Sequence, residues 1–86
     1  MIGQPKYTYG DIVHFKVNYK DEKDITHNEI KEGVIAIIDE YGTFFDSSDV
    51  SYDILVKSEN MLYKHFSENS IVEKIGQMPE EEIWKR

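Results

Sequence analysis

The sequence predicts an all-β domain. The expected form is a five-stranded antiparallel small barrel, with a short 3-10 turn before the last strand and a short C-terminal helix. Three observations carry this. Apolar and polar residues alternate in Asp11–Tyr19 and again in Ser51–Lys57, the period-two pattern of half-buried strands. The densest apolar run, Val34–Ile38, is dominated by β-branched residues and is bracketed by Gly33 and Gly42, which is too short for most helices. Turn-forming residues separate the runs throughout.

The chain is organised around 30–56, IKEGVIAIIDEYGTFFDSSDVSYDILV, which predicts two strands joined by a long hairpin loop. In the first strand Val34, Ala36 and Ile38 share one face and Ile35 and Ile37 the other. Both faces are apolar, so the strand is covered on both sides or bends between two halves of a barrel. In the second, Tyr52, Ile54 and Val56 point one way; Ser51, Asp53 and Lys57 point the other, with Leu55 the apolar exception. The loop between them, Glu40–Val50, holds Asp46, Ser47, Ser48 and Asp49 for turning. It also holds Tyr41, Phe44 and Phe45, which either cover the core or form a contact surface.

Residues 1–9 read as a leader, with Tyr7 and Tyr9 facing the same way in extended backbone; the barrel spans 10–76 and a tail 77–86. In the first strand Val13, Phe15, Val17 and Tyr19 form the core face, and His14, Lys16 and Asn18 the solvent face. Lys20–Glu29, KDEKDITHNE, is nearly free of apolar residues and is expected to be an exposed loop longer than most connections. Ser58-Glu59-Asn60 predicts a tight turn with Asn60 at positive φ. Met61–Phe66 follows as the fourth strand, with Met61, Tyr63 and His65 on one face and Leu62, Lys64 and Phe66 on the other. Ser67–Ser70 fits a single 3-10 turn, and Ile71–Ile75, ended by Gly76, is the fifth strand. In the tail, Pro79 followed by three glutamates is a helix-start pattern. So short a helix orders only if Ile83 and Trp84 dock on something.

The segment LYKHFSENSIVEKIG resembles the end of an SH3-like barrel, where a polar turn leads into a short strand opening on paired aliphatics. GDIVHF followed by EGVIAIID is similar to the G-D-x-V, then x-G-x-V-x-x-I rhythm of KOW-type and other bacterial SH3-like domains. The likeness covers about Tyr9 to Gly76. The chain as a whole resembles small proteins of low-GC Gram-positive bacteria and their prophages that carry this barrel. The resemblance assigns no functional residues, and a fold by itself implies no function.

Composition bounds the chemistry. With 86 residues the chain is one domain, large enough to bury roughly 60–65% of its unfolded surface. There is no cysteine, hence no disulfide, thiolate metal site or thiol catalysis. No apolar run approaches the ~20 residues of a membrane-spanning helix, so the expectation is a cytoplasmic protein with no membrane partner. Net charge is −7 and uneven: +2 over residues 1–20, −7 over 21–57 and −2 over 58–86. An acidic middle argues against a broad phosphate-binding face. His14, His27 and His65 lack metal-ligand spacing, although His14 and His65 could meet across a barrel. Asp46, Asp49 and Asp53 lack the glycine and closing glutamate of a calcium loop. No nucleophile elbow, phosphate-cradling loop or zinc motif is present, so neither an enzyme nor a cofactor is expected.

Aromatics beside acids are the suggestive feature. The expected function is non-enzymatic binding of another protein through loops 20–29 and 40–50. The contact residues would be Asp21, Glu22, Asp24, Tyr41, Phe44 and Phe45, set to stack on a cationic or proline-rich segment. A second expectation is a KOW-like nucleic-acid binder using Lys6, Lys16, Lys20 and Lys64 on one side. A third is an acidic prophage protein that mimics nucleic acid.

Overall fold

A computed structural model describes residues 5–39 and 50–85. It contains β1 (Asp11–Lys20), β2 (Thr26–Asp39), β3 (Ser51–Val56), β4 (Met61–Ser67), a 3-10 turn (Glu68–Ser70), β5 (Ile71–Gln77) and α1 (Glu80–Ile83). The strands form one antiparallel sheet in the order β4-β3-β2-β1-β5. The expected five strands, 3-10 turn and short helix are all present. None of the described helices is long and apolar enough to cross a membrane.

The sheet is strongly curled. In a flat sheet β1 and β4 would lie about 14 Å apart, three strand spacings. Instead the Phe15 ring on β1 meets Phe66 on β4 edge-to-face at 5.3 Å, and Tyr63 at 5.7 Å. Val13, Phe15, Val17, Ile35, Val50, Tyr52, Ile54, Val56 and Ile71 form the core on its inner side. Gly33 lies against it: a Cβ there would come within 2.6 Å of Ile54 Cγ2 and 3.0 Å of the Leu55 carbonyl oxygen, so the close β2–β3 approach requires glycine.

Irregular pairing moves several residues from their expected faces. Ile35 pairs with Ile54 but Ile37 pairs with Asp53, so Ala36 is an extra residue in β2. This bulge puts Ile35 and Ile38 on the core side together and leaves Ile37 exposed, in place of strict alternation along Val34–Ile38. In β4, Tyr63 and Phe66 both pack on the core, because Lys64 and His65 form a second bulge. His65 adopts φ 64°, and its N–H donates to Asp53 Oδ1 at 3.0 Å.

The connection expected over Lys20–Glu29 is also shorter than the sequence suggested. β1 runs on to Lys20 and β2 starts at Thr26, with cross-strand pairs continuing to Lys20–Thr26. Only 21–25 form the loop. The turn at Asn60 has the expected positive φ, 53°.

The leader and tail pack on the sheet. Tyr7 stands edge-on to Tyr52 at 5.8 Å. The fully buried Tyr52 hydroxyl donates to Glu68 Oε2 (2.6 Å), and the same oxygen accepts the Lys6 N–H (2.9 Å). Burial, reinforced by Glu68, pushes the Tyr52 phenol pKa well up. Gly10, at φ +94°, accepts the Met78 N–H at 2.7 Å, and a Cβ there would meet Met78 O at 2.8 Å. Beyond it the tail lays Ile83, wholly buried, on the outer side of the sheet, where it lines a cleft with Leu55 and Leu62. Trp84 does not bury with it; the indole is 54% exposed. The sheet therefore has a main core inside and a small apolar patch outside, which answers why β2 is apolar on both faces.

Candidate functional site: the β1–β2 arm

Beyond Val17, which is still part of the core, the β1–β2 hairpin leaves it. β5 pairs with β1 only as far as Phe15, and β3 pairs with β2 only from Val34 onward. Among the described residues, Lys16–Lys20 and 26–31 form a two-stranded ribbon with no further strand beside it. Isolated ribbons of this kind are marginal in water, so side chains must hold it.

On the inner face Tyr19 stacks on its cross-strand partner His27, with centroids 5.1 Å apart and planes 18° from parallel. The Tyr19 hydroxyl donates to Glu29 Oε1 at 2.9 Å. Lys31 Nζ lies 3.4 Å from Glu29 Oε2, donates to Glu59 Oε2, and sits 5.8 Å from the centre of the Tyr63 ring. Tyr63 donates to the other oxygen of Glu59. One row of groups thus runs from the arm to the β3–β4 turn. The electrostatics follow from the contacts. Glu59 raises the Lys31 pKa, and Lys31, then Tyr63, lower that of Glu59. The bond to Glu29 raises the Tyr19 phenol, and Glu59 raises Tyr63.

Asp21 builds the tip. Its Oδ1 accepts the N–H groups of Lys23 (2.9 Å) and Ile25 (3.0 Å), and its Oδ2 lies 2.7 Å from His27 Nε2. His27, then the Ile25 N–H, hold its carboxyl below the usual range. Asp24 takes φ 62° and faces Lys20 at 3.5 Å, while Glu22 is exposed. Of the three tip acids named from sequence, Asp21 is therefore spent on the turn, and Glu22 and Asp24 face solvent beside Lys20 and Lys23. Tyr41, Phe44 and Phe45 lie outside the described residues.

The outer face of the ribbon carries Lys16, Asn18, Lys20, Thr26, Asn28 and Ile30, with Ile30 57% exposed. The four lysines expected on one side are not gathered. Lys16 and Lys20 share this face, Lys64 is on β4, and the Lys6 N–H is tied to Glu68. His14 and His65 do not meet either. His14 lies between Glu32 and Glu73 of the neighbouring strands, 3.4 Å from each. No group of three metal-ligating side chains occurs among the described residues.

Sequence reasoning missed Glu29, Lys31 and Glu59. The available signal was the alternation of His27, Glu29 and Lys31 with Asn28, Ile30 and Glu32, which only becomes visible if the strand is started at Thr26. No family model, curated protein or solved structure matches this chain.

Proposed function

We propose that this protein is a non-enzymatic cytoplasmic binding module of the SH3-like type that grips another protein with its β1–β2 arm. The strand order, with β5 beside β1 and a 3-10 turn before it, supports the SH3-like reading. The observation that carries the function is the pinned aromatic row: Tyr19, stacked and hydrogen-bonded yet 42% exposed, on a ribbon that extends past the core. A fixed, half-exposed aromatic flanked by Glu29 and the Glu22/Asp24 tip suits a basic or proline-rich extended segment, by stacking and cation–π contact.

An NMR titration with an arginine-rich and a proline-rich peptide tests this. Amide shifts concentrated at 18–30, weakening as salt is raised, are expected. Unmoved arm resonances with both peptides overturn it.

The outer face supports a second reading, nucleic-acid binding. Two lysines and two asparagines on a two-stranded ribbon are a chemistry able to meet phosphates and base edges. A low-salt gel shift abolished by Lys16→Glu with Lys20→Glu would favour it; no retained DNA or RNA sinks it.

A further inference from the structure

The structure also carries a recessed surface, remote in chemistry from the acidic tip. It is a cleft of about 610 Å³ between the tail and the outer side of β3 and β4, within the roughly 300–1,000 Å³ range of small-ligand sites. Leu55, Leu62 and the buried Ile83 make its apolar part. Trp84 walls it with a half-exposed indole whose Nε1–H donates to the Tyr9 hydroxyl at 3.0 Å. Lys57, Asn60 and Lys85 complete the lining, and no carboxylate is among the described residues that line it. On a chain of net charge −7 two lysines thus share one cleft, with the Glu82 carboxylate beside Lys85.

The two ammonium groups keep binding capacity. Lys57 Nζ donates one hydrogen to the Glu82 carbonyl, and an ammonium has three. Lys85 faces Glu82 Oε1 at 3.6 Å with both side chains about half exposed or more, a screened pair that a competing anion exchanges at little cost.

We propose that this cleft is a docking site for the carboxyl-terminal residue of a partner protein, one bearing a large aliphatic side chain. The aliphatic group packs on Leu55, Leu62 and the Trp84 face, and the chain-end carboxylate meets Lys57 and Lys85. A terminal residue fits because it carries its charge one carbon from its apolar branch, and cations and apolar floor line the same compact cleft. Tryptophan is also among the side chains enriched where a few residues dominate a protein contact.

Trp84 is the sole tryptophan, so emission from the full chain reports on the cleft directly. The probes are acetyl-Gly-Leu-Leu as the free acid and as its amide. The free acid is expected to shift Trp84 emission to the blue in a saturable way, with the amide weaker by about tenfold. Lys85→Gln, which leaves the Lys57–Glu82 bond in place, should weaken the acid by about two- to fivefold and leave the amide unchanged. Equal binding of acid and amide overturns the proposal. So does unmoved emission, together with unmoved Leu55 and Leu62 amides, up to about 10 mM of either peptide.

Discussion

β1 and β2 are built in two ways along their length. Between Ile12 and Phe15, β1 has β2 on one side and β5 on the other, and its inward side chains Val13 and Phe15 are wholly buried. From Lys16 to Lys20 the same pairing with β2 continues, but β5 has stopped, and Tyr19 is 42% exposed. The alternation of the sequence is the same in both halves. What differs is how many strands flank the pair, so the part up to Val17 is held by burial and the part beyond it by side chains reaching across the ribbon. The core half should behave as a cooperative unit, and the arm as an appendage that can be altered without unfolding the rest.

The largest effect expected is from Phe15→Ala. It removes the ring that joins β1 to β4 and should cost about 3–5 kcal/mol, read as a fall in the denaturation midpoint. Survival of the fold with an unchanged midpoint would break the comparison. Ile83→Ala comes next, at about 2–4 kcal/mol, with Trp84 emission moving to the red as the tail loosens. Tyr52→Phe keeps the ring but removes the hydroxyl that Glu68 accepts; a loss of about 1–2 kcal/mol is expected.

The arm variants should be quieter. Tyr19→Ala is expected to leave the global midpoint nearly unchanged while amide exchange at 18–30 accelerates. Loss of the whole fold would show that arm and core are one unit after all.

The smallest effect is a pH dependence of the arm. The carboxyls of Asp21 and Glu59 are held below their usual values of 3.8 and 4.5 in the folded protein. Their contribution is therefore present above those values and is lost as pH falls through the lower folded values. Protection of the Lys23 and Ile25 amides, whose N–H groups Asp21 accepts, relative to their intrinsic exchange rates should fall at that acid end before the core opens. In His27→Ala the Asp21 midpoint, followed by carboxyl NMR, should move up toward 3.8. An unmoved midpoint would show that the backbone N–H groups alone set it.

The strands with one wet and one dry face were legible because burial imposes a period of two on them: Val13, Phe15 and Val17 in β1, and Tyr52, Ile54 and Val56 in β3. The turn at Asn60 and the tail's need for Ile83 to dock were legible for similarly local reasons. Residues 26–31 were not, because both faces of a ribbon touch water and no hydrophobic period is written into THNEIK. The aromatic row was hidden with them, since it depends on Tyr19 and His27 being opposite one another.

By itself, then, the chain determined which segments could be strands, where they turn, and that cysteine chemistry is absent. Register and curvature belonged to the tertiary structure. A bulge at Ala36 can go unseen where apolar residues occupy both sides of a strand, as can one at Lys64–His65 where the polar residues straddle it. Those two extra residues aim Ile38, Tyr63 and Phe66 at the core, and only the packing of Phe15 against the last two fixes them there. The same holds for the outer cleft, which forms only once Tyr9, Leu55 and Trp84, far apart in the chain, are brought to one place.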